Sequence, residues 1–272
     1  MSAICLWALV VPAWPATCEP GLAELDTALR LSVRGGRVDY RRLRAEPHSL
    51  DDYLQAIADF PALSLSGCSH AAKVAFWINA YNAIVLRSVR DQYPIHGRTF
   101  VGLAFPRNSI WQISRVFTRR DWVVAGQTLS LDDIEHRILR RELADPRVHF
   151  ALVCAARSCP PLRSTAYREM DLDTSLEAQT RRFLSDPERG MRVDEAGNAV
   201  WLSKIFKWFG EDFLRPDAAS VGDLDARESS LLRMIDDLGI SPGLRRLLLA
   251  GEIRVRYLDY DWQLNDMQKD AP

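Results

Sequence analysis

The chain has 272 residues, which is enough for one large domain or two small ones. Its 47% hydrophobic and 26% charged residues are typical of an ordinary globular protein. Because 35 Lys and Arg residues face 36 Asp and Glu residues, the net charge is −1, which argues against nucleic acid or an anionic membrane as a partner.

The first residues resemble the core of a signal peptide. The apolar run Ile4 to Val11 is too short to span a bilayer, and Pro and Ala residues follow it. It lacks a preceding basic region, so a buried first strand or helix is the alternative. We predict a leader over residues 1–18 and one exported domain, periplasmic or secreted, over residues 19–272. No stretch beyond the leader is apolar and long enough for a transmembrane segment.

Hydrophobic periodicity predicts mostly helix in the first half of the chain. Ser130 opens a helix in which Asp133 completes a capping box, and this helix ends before Asp145-Pro146. The segment 147–153 is predicted as a strand that leads into a Cys- and Pro-rich turn, residues 154–161. Before Ser130, the pattern predicts helices at 21–33, 49–60 and 71–92, and strands at 116–118 and 122–124.

The second half continues with short elements. The pattern predicts a helix at 172–185, a hairpin at 191–202, helices at 204–209, 224–238 and 242–249, and a last strand at 252–257. Helices outnumber strands, and the two do not alternate regularly. We therefore predict an α+β fold, a mainly helical single domain with a small, mostly antiparallel sheet.

Two amides lie on the apolar face of the helix predicted at 71–92. At 100° per residue, Asn82 falls in the middle of the apolar arc and Asn79 near its edge. Buried amides must be hydrogen-bonded, because an unpaired polar group costs about 1–3 kcal/mol. One of them could orient a catalytic imidazole; the favoured alternative is that both tie down backbone groups.

The helix after Ser130 repeats this pattern. Glu135 lies within its apolar arc, where a carboxylate must pair with a cation or carry a raised pKa, and a Glu–Arg pair is favoured. His136 lies at the border of the arc, where it can titrate near neutral pH. A hydrogen-bonded structural histidine is the common alternative.

Cys154 and Cys159 allow four interpretations: core packing, a disulfide across the turn, a thiolate nucleophile, or zinc ligands with histidines. In a strand, His149 would face away from Cys154, so His136 is the better partner for it. Loss of the leader would also leave an odd number of cysteines, which predicts either a free thiol or a retained Cys18.

Five blocks together resemble the domain-of-unknown-function 547 family, in the family's order, over residues 70–266. They are AFWINAYNAIVL, SLDDIEHRILR, DPRVHFALVCAARSCPPLR, LSKIFKWFGEDF and YLDYDWQLND. The resemblance supplies no activity, but bacterial members often look like exported proteins. It places all five candidate residues inside family motifs: Asn79, Asn82, Glu135, His136 and Cys154. Plant relatives look similar at the last three but lack a match to Cys159, which disfavours an obligatory disulfide and favours a Cys154–His136 pair.

Three functions follow from these residues. The first is a thiol-dependent acyl-transfer enzyme, a hydrolase or transferase acting on a peptide or thioester-like substrate. Cys154 would be the nucleophile, His136 the base, Asn79 or Asn82 the orienting amide and Glu135 a support, by analogy with a permuted papain or transglutaminase arrangement. The alternatives are a non-catalytic exported binding or scaffolding domain, and a redox module using Cys154 and Cys159. No phosphate loop, Gly-x-Ser-x-Gly elbow or His-Glu-x-x-His motif is present, and we predict no cofactor and no metal.

Overall fold

The computed structural model of the chain describes residues 18–96, 100–215 and 220–268. Within these ranges the chain forms nine α-helices and one π-helix, Asp133–Leu143. The α-helices are Leu22–Ser32 (α1), Tyr40–Ala45 (α2), His48–Asp59 (α3), Ala62–Ser66 (α4), His70–Gln92 (α5), Leu172–Leu184 (α6), Lys204–Phe209 (α7), Ala226–Asp237 (α8) and Pro242–Ala250 (α9). None of these described helices combines the length and the apolar character that crossing a membrane requires.

The described strands are short and form three separate small sheets. They are Val33–Arg34 (β1), Arg37–Val38 (β2), Trp122–Val124 (β3), Gln127–Leu129 (β4), Met191–Asp194 (β5), Ala199–Leu202 (β6) and Arg254–Tyr257 (β7). Strands β1–β2, β3–β4 and β5–β6 pair antiparallel, and β7 adds to β6 in parallel. Since 53% of the structure is helical, the predicted mainly helical α+β class is confirmed.

Helix α5 is the centre of the first hydrophobic core. The Ser69 hydroxyl caps it by accepting a hydrogen bond from the Ala72 N–H, and the helix ends two residues before Pro94. Seventeen of its 23 residues are buried, so it has no broad face toward solvent. It packs against α2, α3 and the π-helix, and this burial on nearly all sides encloses Asn79 and Asn82.

A second core follows in the chain, built from α6 to α9 and the sheet β5–β6–β7. Phe150 belongs to this core and contacts Phe183, Phe206 and Phe213, with ring centroids 5.7–5.8 Å apart. Its neighbours Val148 and Ala151 instead belong to the first core. The segment that leads to Cys154 therefore lies where the two cores meet.

The predicted strand at 147–153 is wrong, because Pro146–Phe150 forms a 3-10 helix. Asp145 caps this turn by accepting from the Arg147 N–H at 2.9 Å, and Pro146 fixes a helical φ at the first position. A short, fully apolar run fits a buried turn as well as a buried strand, so periodicity could not separate them. Because these residues do not alternate as in a strand, His149 is not forced to face away from Cys154.

Other short elements also differ from the prediction. Residues 116–118 form turns rather than a strand, while the hairpin β1–β2 and the helices α2 and α4 were not predicted. Each of these elements has six residues or fewer, which is too few for a hydrophobic period to be recognised.

The first 17 residues of the predicted leader lie outside the described residues. Cys18, which that prediction included in the leader, forms a disulfide with Cys68, with their Cα atoms 6.0 Å apart. The folded domain therefore includes Cys18.

Candidate functional site

The π-helix begins with the predicted capping box. The Ser130 hydroxyl accepts from the Asp133 N–H at 3.0 Å, while the Asp133 carboxylate accepts from both the Ser130 N–H and hydroxyl at 2.9 and 2.8 Å. The helix is held by backbone bonds five residues apart, such as that from Ala144 N–H to Leu139 C=O. π-helical turns are rare and are frequently found at functional sites.

One face of the π-helix carries a chain of polar contacts. The His136 Nε2 atom lies 3.9 Å from Asp132 Oδ1, and its Nδ1 atom lies 3.0 Å from an Arg140 guanidinium nitrogen. Since arginine only donates, Nδ1 is the acceptor, and Nε2 carries the proton. Arg140 also donates two hydrogen bonds, of 2.6 and 3.0 Å, to Asp212.

Asp212 connects this face to His149. The His149 Nε2–H donates to Asp212 Oδ2 at 2.7 Å, and the His149 side chain is almost fully buried. Burial raises the pKa of Asp212, but the bonds from His149 and Arg140 outweigh it, so its pKa lies below the ordinary value and it is ionised at neutral pH. The His149 ring stacks on Phe209 with centroids 4.4 Å apart, and the Arg140 guanidinium lies 4.7 Å from the same ring.

Of these side chains, Asp132, His136, His149 and Phe209 line a cavity of about 680 Å³. This volume lies in the range of small-molecule sites. Its titratable and sulfur-bearing wall consists of Tyr81, Arg115, Asp132, Glu135, His136, His149, Cys154, Cys159 and Tyr260.

Much of the remaining wall is aromatic. The ring centroids of Trp111 and Phe117 lie 5.0 Å apart, and the Trp262 ring lies within 5.8 Å of the rings of Trp111, Trp208 and Tyr260. All of these rings line the cavity. Phe206 and Phe213 are buried in the second core, whereas Trp208 and Phe209 face the cavity.

Cys154 and Cys159 form a disulfide in the cavity wall, with Cα atoms 6.4 Å apart. The Tyr260 hydroxyl lies 3.6 Å from the Cys154 sulfur and 3.3 Å from the Cys159 sulfur. Burial, followed by the charge of Glu135, raises the pKa of Tyr260, so its hydroxyl stays protonated and can donate. The disulfide was one of the four interpretations of these cysteines, and only the resemblance to plant relatives disfavoured it as obligatory; the turn nonetheless brings the two cysteines together.

A C-terminal segment, residues 260–267, braces the turn that carries both cysteines. Backbone bonds run from Arg157 N–H to Gln263 C=O and from Asn265 N–H to Ala155 C=O, at 2.8 and 2.9 Å. Ala155 has a φ of 60°, a left-handed conformation that costs free energy in any residue but glycine. Such strain next to Cys154 persists only because the surrounding contacts hold it.

Three of the five predicted site residues meet at the cavity: Glu135, His136 and Cys154. In the described part of the chain, no hydrogen bond joins the Cys154 sulfur to the His136 ring, whose two nitrogens face Arg140 and Asp132. The partner of Glu135 is the Tyr81 hydroxyl, which donates at 2.9 Å, and not the expected arginine.

Asn79 and Asn82 do not line the cavity. Asn79 donates to Tyr167 C=O and accepts from Tyr167 N–H, at 2.8 and 2.9 Å. Asn82 donates to Ala151 C=O at 3.0 Å and accepts from Val153 N–H at 2.9 Å. Both amides tie down backbone, which was the favoured of their two interpretations.

Asp212 and Tyr260 were not predicted as site residues from the sequence, and His149 was disfavoured as the partner of Cys154. Asp212 and Tyr260 each stand inside one of the quoted sequence blocks as a polar group among aromatic residues. A polar residue in such an aromatic segment was the signal by which the sequence could have indicated them. The partner of Asp212 lies 63 positions away in the chain, and the two sulfurs near Tyr260 lie 106 and 101 positions away, which no local pattern shows.

Among the residues that the structure describes, no three His, Cys, Asp or Glu side chains are grouped so that they could hold a metal ion. The zinc interpretation of the two cysteines therefore gains no support.

Residues 65–184 match the model of a family described as protein of unknown function, DUF547. That segment is similar to the DUF547 family. It is less than half of the chain, and it contains Cys154, His136 and Glu135, as the motifs indicated. Asp212, Phe209 and Tyr260 lie beyond the segment that matches DUF547. No curated protein and no solved structure matches the chain, so the papain or transglutaminase analogy stays a prediction.

Proposed function

We propose that this protein is a thiol-dependent acyl-transfer enzyme, with Cys154 as its nucleophile. The observation that carries the proposal is that Cys154 and two histidines line a single cavity of small-molecule size. A scaffolding domain predicts instead a cysteine packed without a cleft.

His149 fits the role of general base better than His136. Its Nε2–H is directed to the ionised Asp212, which leaves the Nδ1 lone pair for a proton, and Asp212 stabilises the imidazolium that forms. The Nδ1 lone pair of His136 already accepts from Arg140, so it is not free to accept the proton of the thiol. His136 is a hydrogen-bond donor through Nε2, and the Tyr260 hydroxyl is a second donor beside the sulfur.

The nucleophile requires prior reduction of the Cys154–Cys159 disulfide. An external dithiol supplies two electrons and two protons, becomes a disulfide itself, and leaves two free thiols. His149 then takes the Cys154 proton, and the thiolate attacks the acyl carbon. A carbon–sulfur bond forms, and the leaving group departs with the proton from His149. Water or another acceptor gives its proton to His149, attacks the thioester and releases the thiolate.

Alkylation of the reduced protein tests this proposal. After dithiothreitol treatment, iodoacetamide labelling from pH 5 to 9 should show Cys154 reacting with an apparent pKa below the ordinary value of about 8.5. His149→Ala should return the profile toward that of an ordinary thiol, because the imidazole no longer stabilises the thiolate. His136→Ala is the matched comparison and should change the profile less.

Two results contradict the proposal: an ordinary thiol profile that His149→Ala leaves unchanged, or a Cys154 that reacts only when the reduced protein unfolds. The variant Cys159→Ser adds a separate check. It should expose a reactive Cys154 without any reductant.

The observed disulfide favours a redox module as the second candidate function. In that case both sulfurs are needed for each turnover. Cys159→Ser would abolish disulfide exchange with a small dithiol, whereas it would retain acyl transfer. The same variant therefore separates the two functions.

We also propose that the protein is exported to an oxidising compartment. Two disulfides, Cys18–Cys68 and Cys154–Cys159, support this, because such bonds persist mainly outside the reducing cytosol. Thiol trapping in cell extracts prepared in acid tests it: the Cys18–Cys68 pair should be found oxidised, and its recovery as two free thiols would contradict it.

A further inference from the structure

The cavity wall carries more Asp and Glu than Lys and Arg side chains. Asp132 and Glu135 belong to its wall, against one arginine, Arg115, which is solvent-exposed. His136 and His149 are the other ionisable nitrogen groups there. Arg140 lies behind this wall, where Asp212 neutralises it.

Neither carboxylate forms an ion pair with a described Lys or Arg side chain, although the charge of Glu135 helps to raise the pKa of Arg140. Glu135 accepts from the neutral Tyr81 hydroxyl, and Asp132 has only the His136 ring, at 3.9 Å. Burial raises the pKa of Asp132, with a partial offset from His136. The Asp132 side chain keeps 40% of its surface exposed and Glu135 is half-buried, so both negative charges face the cavity, where an entering cation can pair with them.

The aromatic wall supplies a second and independent attraction for cations. The faces of Trp, Tyr and Phe rings carry negative electrostatic potential and bind ammonium or guanidinium groups. Trp111, Trp208, Tyr260 and Trp262 lie in mutual contact along this wall. The same property is already used at the back of the site, where Arg140 lies over Phe209.

Other ligand classes fit less well. An anion would meet two unpaired carboxylates, and a neutral apolar group would fill the aromatic space but leave both carboxylates desolvated. We infer that the cavity binds a substrate bearing an organic cation, an ammonium or guanidinium group on an apolar stem, held by Asp132 and Glu135 against the aromatic rings. This inference names the substrate class of the proposed enzyme and so rests on the proposed function.

Three ligands with one stem test it: 4-phenylbutylamine, 4-phenylbutanol and 4-phenylbutyrate. Binding is measured by quenching of tryptophan fluorescence at neutral pH and low salt, on the protein with its disulfides intact. The amine should bind about tenfold more tightly than the alcohol, and the carboxylate more weakly than either. Asp132→Asn and Glu135→Gln should each remove most of the amine's advantage while leaving alcohol binding unchanged.

Glu142→Gln is the matched control, because Glu142 belongs to the same π-helix but pairs with Arg137 at the surface. It should bind all three ligands as the unaltered protein does. Equal affinity for amine and alcohol, tightest binding of the carboxylate, or no binding of any ligand overturns the inference.

This experiment does not depend on the reactivity of the thiol. If cations bind but reduced Cys154 is inert, the acyl-transfer function fails and the cation site stands. If Cys154 is reactive but cations show no preference, the function stands and the substrate class is wrong.

Discussion

Asn79 and Asn82 bracket the backbone in the same way, each accepting from one N–H and donating to one C=O. They differ in the segment that they hold. Asn82 fixes Ala151 and Val153, directly before Cys154, whereas Asn79 fixes Tyr167, far beyond the disulfide turn. Loss of either asparagine should therefore lower stability, but only loss of Asn82 should change the position of the Cys154 thiol.

Replacing either asparagine with alanine should destabilise the protein by about 2–3 kcal/mol, because two buried backbone groups lose their partner. Urea unfolding measures this loss. Only Asn82→Ala should also change the rate at which reduced Cys154 reacts with iodoacetamide. Equal effects of both variants on that rate would contradict the positioning role of Asn82.

Glu135 and His136 were both selected because they interrupt an apolar face, and both line the cavity. What they do there depends on neighbours that the local sequence does not show. Tyr81 comes from α5, and Arg140 is committed to Asp212 near α7. Polar residues on an apolar face indicated that a site is present, whereas the hydrogen-bond partners of Glu135 and His136 determine what these two side chains can do chemically.

At the scale of elements, the contact between the π-helix and the segment after α7 rests on Asp212. This carboxylate joins Arg140 to His149 and so couples three separate parts of the chain. Because its pKa is lower in the folded than in the unfolded protein, it stabilises the fold above the unfolded pKa of about 3.9. That contribution is lost as the pH falls through the lower folded pKa.

Asp212→Asn should therefore lower the free energy of unfolding at pH 7 and flatten its decline below about pH 4. Urea unfolding at several pH values between 2.5 and 7 measures both effects. Asp259→Asn, which removes a fully exposed carboxyl, serves as the control and should leave the slope near that of the unaltered protein. An unchanged slope in Asp212→Asn would show that this ion pair does not contribute to acid stability.

At the scale of the whole molecule, the two disulfides have different expected roles. Cys18–Cys68 closes a loop with a sequence separation of 50, and Cys154–Cys159 one of only 5. In the chain-entropy account, the long loop contributes about 4 kcal/mol and the short one about 2 kcal/mol. The long loop secures the chain before α1 to the first core, whereas the short one lies in the cavity wall.

We expect Cys18→Ser with Cys68→Ser to lower the unfolding free energy by up to about 4 kcal/mol while leaving the reactivity of reduced Cys154 unchanged. Denaturant unfolding and iodoacetamide labelling of the folded variant measure the two quantities. A variant that is as stable as the parent, or one whose Cys154 reactivity changes in the folded state, contradicts this division of roles.

The sequence by itself determined the features that depend on neighbours along the chain. The capping box at Ser130, the end of α5 before Pro94 and the hairpin β5–β6 all follow from contacts within a few residues. The apolar periods of α5 and of the helix after Ser130 likewise marked Asn79, Asn82, Glu135 and His136 as polar residues on buried faces.

Only the tertiary structure decided how these pieces meet. The His149–Asp212 pair spans 63 positions and forms because Phe150 and Phe213 pack in the same core. Likewise, whether residues 147–153 form a strand or a 3-10 turn depends on burial between two cores, since an apolar run satisfies both. The chemistry of the cavity could therefore not be predicted from the sequence, because it arises from side chains that long-range packing brings together.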